Sequence, residues 1–246
     1  MKTMTFLEHL EALRKALLRS LAGLFLGFLI AYAFSEKIYN FLLIPFNEAY
    51  RSVLHKEPIL IFTTLFEPFM AYLKVSLVAG IFISSPYIFY ELWKFIAPGL
   101  YKKEKKYVLP FVSFAVLFFI GGATFGYFFV FPAAFKFFMG YSTQVIQPAI
   151  KVSDYLEVAI WTLIIFGAVF EFPLVMLFLV FVRILSFETL ISKWRYFVVG
   201  ISIASAVFTP ADVVSMMLMM IPLLILYIFT LLAAYFITKI RKTDSN

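Results

Sequence analysis

The ionisable groups that could do chemistry in this 246-residue chain are few, and several stand where charge is costly. Glu171 lies near the middle of an apolar stretch, two residues before Pro173, where a carboxylate costs roughly 2.5–3.5 kcal/mol on insertion scales. A water-filled or ligand-accepting concavity would offset that cost; a protonated or hydrogen-bonded glutamate between helices is the plainer role. Lys74 sits within another apolar stretch, close enough to its end for the ammonium to snorkel to the interface. Asp212 follows Thr209 and Pro210 at a turn signal, where it is solvated or caps the next helix. Glu104 is the single acid among Lys102, Lys103, Lys105 and Lys106. Near the amino terminus, Glu8 completes a Thr5-x-x-Glu8 capping box, and Glu11 is spaced for an i to i+4 pair with Lys15.

Catalytic constellations are missing. The two histidines, His9 and His55, fall on opposite membrane faces in the six-span topology, which excludes a two-histidine metal site within one chain. There is no cysteine, hence no disulfide, thiolate metal site or thiol nucleophile. No Gly-rich phosphate loop, HExxH or G-x-S-x-G occurs. An intramembrane serine protease needs a histidine at membrane depth, and none is there. The expectation is a protein that is not an enzyme and carries neither cofactor nor metal.

The elements that must position these groups are membrane spans. The chain is 63% hydrophobic with a mean hydropathy of +0.97, beyond a usual soluble domain, so it reads as one membrane domain. A helix needs ~20 residues to cross a ~30 Å hydrocarbon core, and five stretches reach that length. The last is too long for one crossing and splits at Phe208-Thr209-Pro210-Ala211-Asp212. Six spans result, over residues 16–35, 68–92, 107–131, 155–182, 196–208 and 213–238.

With six spans both termini share one side. That side holds Lys2, Arg14, Lys15, Arg19, Lys94, Lys102, Lys103, Lys105, Lys106, Arg183, Lys193, Arg195, Lys239, Arg241 and Lys242, fifteen of the 21 Lys and Arg. The other side has Lys37, Arg51, Lys56, Lys136 and Lys151. The positive-inside bias places both termini in the cytoplasm. The formal +7 is mostly this topology signal, which favours anionic lipid and requires no nucleic acid. Ala31-Tyr32-Ala33 resembles a signal-peptidase site, but the preceding run is long for a signal peptide and holds Arg19 and Ser20, so the first span is expected to stay.

Outside the spans, residues 36–67 mix aromatics with charges and predict an interfacial helix followed by a loop. Residues 136–154 read as a second outer loop, with Asp154-x-x-Glu157 capping the fourth span. No internal repeat is visible, which speaks against inverted-repeat transporter folds.

The stretch Phe95-Ile96-Ala97-Pro98-Gly99-Leu100-Tyr101-Lys102-Lys103-Glu104 resembles the signature of the TatC family, receptor subunits of the twin-arginine protein translocase. Glu67-Pro68-Phe69, Ser85-Pro86-Tyr87 and Tyr90-Glu91-Leu92-Trp93 are similar to the family's second helix. Gly126-Tyr127-Phe128 with Phe131-Pro132 resembles its third, Phe166-Gly167 with Phe170-Glu171-Phe172-Pro173 its fourth, and Thr209-Pro210 with Asp212 its fifth-to-sixth turn. The resemblance covers nearly the whole chain. In one place the chain departs: the amino-terminal His-Leu-any-Glu-Leu-Arg motif reads His9-Leu10-Glu11-Ala12-Leu13-Arg14, with alanine where the glutamate is expected. Moving the acid back one residue rotates it by about 100° on a helix. Glu11 then substitutes from a neighbouring direction, or Glu8 does so from one turn away; Glu11 is favoured because Glu8 is occupied by the capping box.

The resemblance implies an all-α, concave, cup-like bundle of six transmembrane helices, the fifth and sixth short, in the cytoplasmic (inner) membrane. It implies capture of the twin-arginine signal peptides of folded cargo by Glu104, Glu11, Glu8, Phe95 and Tyr101. Assembly with TatA- and TatB-type single-span proteins at the Thr209 to Asp212 region, within a larger self-associated complex, is implied as well. Carboxylates suit such a ligand, because guanidinium forks bind them bidentately where lysine cannot. Glu171 is expected to act after binding. The rival reading is a proton- or ion-coupled secondary transporter using Glu171, Lys74 and Asp212.

Overall fold

Glu8 in the first turn of helix α1 (Phe6–Ala33) complements the positive end of the helix dipole, and no proline or loop residue interrupts the run from there to Ala33. The residues before the first span and the span itself are thus one rod. The computed structural model describes residues 6–96, 108–142, 148–209 and 212–243; Thr5, Tyr101, Glu104 and Pro210 lie outside the described residues. After α1 come α2 (Ser35–Leu54), strand β1 (Leu60–Ile61), α3 (Glu67–Ile96), α4 (Val108–Phe125), a π-helical turn (Gly126–Val130) and α5 (Phe131–Met139). Strand β2 (Ile150–Lys151), α6 (Val152–Phe170), α7 (Phe172–Phe181), α8 (Phe187–Ser192), α9 (Trp194–Phe208) and α10 (Val213–Thr243) complete the order. Among the described residues five segments are long and apolar enough to span a membrane, Leu7–Ala33, Glu67–Ile96, Leu109–Met139, Val152–Phe181 and Val213–Lys239, with Trp194–Phe208 a shorter apolar helix.

Packing divides the chain into two units. The first comprises Met1–Ile44, Ile59–Leu117 and Ala149–Ile160. Its axis is the pairing of α1 with α3, where glycines let the backbones meet. A Cβ on Gly80 would lie 2.7 Å from the Phe28 nitrogen, and one on Gly27 would lie 2.7 Å from the Gly80 carbonyl oxygen. Small residues do this work in membranes because lipid supplies no hydrophobic drive between helices. Within α3, Pro86 cannot donate to the Phe82 carbonyl; the Ser85 hydroxyl donates to it instead, at 2.8 Å. The outer segment is the expected helix, α2, followed by a loop, and β1 pairs in parallel with β2.

The second unit comprises Pro45–Pro58, Phe118–Pro148 and Trp161–Asn246. Its core gathers Met219, Leu223 and Tyr227 of α10 with Leu190 of α8, Ile201 of α9 and Val180 of α7. The Tyr227 hydroxyl donates to the Leu190 carbonyl at 2.8 Å. Gly122 meets α6 so closely that a Cβ would lie 2.3 Å from the Phe166 carbonyl oxygen.

Three expectations are corrected. The sixth helix is not short: α10 has 31 residues, because Pro222 inside it does not stop a helix supported along one side by packing. The third span runs past 131 to Met139, since Pro132 falls in the first turn of α5, where a missing N–H costs nothing. The second outer loop is correspondingly shorter. Asp154 does not cap the fourth span either; it lies in the first turn of α6, and the Ser153 N–H is bound by Glu67. The fifth helix is short as expected, α9 having 15 residues, and the break before α10 falls at the predicted turn.

Candidate functional site

The start of α1 and the end of α3 come together in the first unit, and this brings charged residues from opposite ends of two long segments into one pocket. The pocket holds 180 Å³ and is lined by His9, Ala12, Lys15, Arg19, Glu91, Lys94 and Phe95. His9 stacks on Phe95 with ring centroids 4.5 Å apart. Ala12, one turn further along α1, lies in the wall and occupies little of the space. The acid of the pocket is Glu91, whose side chain is only 5% exposed. Its Oε2 accepts from Arg19 Nη1 at 3.3 Å, and its Oε1 from Lys94 Nζ at 3.5 Å.

Of the residues expected at this site, Phe95 is in the pocket and Glu11 is not among its lining residues. The Glu11 carboxylate sits on the exposed face of α1, 2.7 Å from Lys15. Glu8 is exposed in the first turn of α1. Tyr101 and Glu104 lie outside the described residues. Sequence reasoning missed Glu91 and Arg19 as a pair: each is visible as a charge at the edge of an apolar run, but 72 residues separate them, so only packing reveals the contact.

A second candidate lies in the second unit. The fourth span breaks at Glu171, which separates α6 from α7 and precedes Pro173 in the first turn of α7. Glu171 Oε1 is buried and has no hydrogen-bond partner among the described residues. It borders a cavity of 420 Å³ whose walls include Tyr196, Gly200 and Ala204 of α9 with Tyr227 and Thr230 of α10. The concavity expected beside Glu171 is thus present, though its lining is largely apolar.

The remaining residues are elsewhere. Asp212 Oδ1 accepts the Ser215 N–H at 2.7 Å and caps α10, and the residue is not part of the Glu171 cavity wall. Thr209 donates its hydroxyl to the Ser205 carbonyl at 2.7 Å at the end of α9. Lys74 is exposed on α3, in keeping with snorkelling. The structure gives no support to a relay through Asp212, whose described hydrogen bond is a helix cap. No three His, Cys, Asp or Glu side chains form a metal site among the described residues.

Known proteins resemble this chain along most of its length. The profile of the family described as "TatC: Sec-independent protein translocase protein (TatC)" matches residues 8–222. The Sec-independent protein translocase protein TatC of Desulforapulum autotrophicum is 41% identical over 241 residues, covering 98% of this chain and 88% of that protein. Its counterpart from Koribacter versatilis is 37% identical over 238 residues, covering 96% and 87%. A crystal structure of the twin arginine translocase receptor TatC superposes with a TM-score of 0.79 at 34% identity, covering 94% of this chain and 99% of that one. With a profile match over most of the length and relatives of this similarity, the chain belongs to the TatC family of Sec-independent protein translocase proteins.

Proposed function

We propose that this translocase component is the receptor that captures twin-arginine signal peptides of folded proteins, with both termini in the cytoplasm of the cell whose inner membrane it spans. The observation that carries the reading is the pocket between α1 and α3, where an aromatic pair, His9 on Phe95, adjoins a buried carboxylate. Guanidinium groups favour such surroundings because they stack on rings and fork onto carboxylates. The signature that begins with Phe95 at the end of α3 ends in Glu104, and the resemblance of that stretch to the family's is what recommends Glu104 and Tyr101 as further contacts for the peptide. Glu8 and Glu11 lie on the same end of α1, Glu11 paired with Lys15.

The second half of the proposal concerns partners. Helix α9, at 15 residues, is about 22 Å long, short of a ~30 Å core. A single-span protein of the TatA or TatB type beside the Thr209 to Asp212 region would cover that mismatch.

The test is direct. Purified protein in lipid nanodiscs is titrated with a labelled peptide carrying two adjacent arginines before an apolar segment. Saturable capture is expected, weakened when both arginines become lysines. Equal capture of the two peptides would refute the receptor reading.

A further inference from the structure

We infer that Glu91 is the arginine-recognising acid on the amino-terminal side of this pocket, and that Arg19 is an internal stand-in which the incoming guanidinium displaces. The inference rests on the receptor reading and deepens it.

Glu91 is largely buried, with its side chain 5% exposed, and its carboxylate is met by two cationic side chains. Yet its partners hold it loosely. Arg19 contributes one nitrogen at 3.3 Å, and Lys94 one at 3.5 Å, each to a different oxygen. Charge-assisted N–H···O bonds are typically about 2.7–2.9 Å, and a carboxylate offers roughly four lone-pair sites. Elsewhere in the chain an arginine shows the tighter arrangement: Arg51 donates Nε and Nη2 to Glu57 Oε2 at 3.2 and 2.9 Å. Among the described residues Glu91 is therefore a buried acid with acceptor capacity to spare, facing a 180 Å³ pocket.

Arg19 is placed to leave. Its side chain is 52% exposed, and it borders both this pocket and a neighbouring cavity of 310 Å³ that runs along α1 beside Gly23, Leu26, Ser84 and Tyr87. A swing of this half-exposed side chain out from Glu91 leaves the carboxylate to the incoming group. The exchange trades one guanidinium for another, so charge alone gains little. The gain lies in geometry: a free arginine side chain entering the pocket can present both fork nitrogens, whereas a lysine offers a point charge that Lys94 already supplies. The site thereby discriminates arginine from lysine. It also accounts for the missing acid at Ala12, whose small side chain leaves the Glu91 carboxylate open to the pocket.

The experiment measures affinity for the two-arginine and two-lysine peptides in nanodiscs, for wild type, Glu91→Gln, Arg19→Gln and the double variant Ala12→Glu/Glu91→Gln. Glu91→Gln is expected to weaken two-arginine capture by roughly tenfold or more and to flatten the preference over lysine. Arg19→Gln is expected to act in the opposite direction, strengthening capture several-fold, because the competitor is gone. Ala12→Glu in the Glu91→Gln background is expected to recover arginine preference. A merely structural ion pair predicts that both single variants weaken capture or leave it unchanged, with no rescue by Ala12→Glu, and that result overturns the inference. If wild type prefers arginine and Glu91→Gln retains the same preference, only the inference falls; if wild type shows no preference, the receptor reading falls with it.

Discussion

Glu67, in the first turn of α3, accepts the backbone N–H of Ser153 through Oε1 and that of Thr63 through Oε2, both at 2.9 Å. One carboxylate thereby anchors the loop before α3 and supplies the start of α6 with an acceptor from a residue 86 positions earlier. Beside it β1 pairs with β2, so the strand pair and the carboxylate clamp the same two segments. Replacing Glu67 with alanine orphans both N–H groups, and glutamine keeps the shape but loses the charge at the helix start. We expect Glu67→Ala to lower the thermal midpoint in detergent by at least a few degrees and Glu67→Gln by less. Identical midpoints for wild type and Glu67→Ala would show that the clamp contributes nothing.

The close approach of α1 and α3 makes a contrast between glycines. At Gly80 an added methyl meets backbone of α1 at 2.7 Å, which no rotamer change relieves; at Gly121 it meets nothing within 4 Å. Gly80→Ala should cost about 1–3 kcal/mol by forcing the helices apart, whereas Gly121→Ala should be neutral or slightly stabilising through helix propensity. Thermal unfolding of the two purified variants, measured side by side, decides this.

The Tyr227 hydroxyl ties α10 to the end of α8 through the Leu190 carbonyl. Tyr227→Phe keeps the ring in its cluster and removes only the hydrogen bond, so a loss of about 1 kcal/mol is expected. Denaturant titration in mixed micelles measures it; a loss above ~3 kcal/mol would mean the hydroxyl does more than this one contact.

Glu171 borders the 420 Å³ cavity with one oxygen unpartnered among the described residues, an arrangement that costs stability and so marks the residue as one kept for a function. Glu171→Ala should therefore spare the amount of folded protein and peptide capture while reducing export of folded cargo. Because the chain has no cysteine, Glu171→Cys gives a unique thiol. Its labelling by water-soluble reagents is expected, and failure to label in an export-competent protein would remove the hydrated reading of the cavity.

For Glu104, crosslinking supplies the measurement. Crosslinks between a two-arginine peptide and the protein should fall severalfold in Glu104→Ala, since the proposed charged contact would be lost. Glu11→Gln should change them little, because Glu11 is not among the pocket's lining residues and its carboxylate is already paired with Lys15. Loss of crosslinking in Glu11→Gln would restore that residue to the site.

What the sequence by itself determined is what depends on local composition. Apolar run length set the spans, the turn at 208–212 split the last run, and Pro173 marked the break beside Glu171, because hydropathy and proline chemistry act over a few residues. The quoted motifs were enough to indicate the family. Helix ends were less legible: Pro132 and Pro222 carry the same breaking signal as Pro173, yet the third span runs on past Pro132 after a π-helical turn and α10 continues through Pro222 with packing along one side. The charge partners were not legible at all. Glu91 meets Arg19, Glu67 meets Ser153, and Ala12 opens onto the pocket while Glu11 turns to Lys15, because α1 lies against α3 at one particular rotation. That rotation is selected by backbone contact at Gly27 and Gly80, a steric fit between residues more than fifty positions apart that no local pattern encodes.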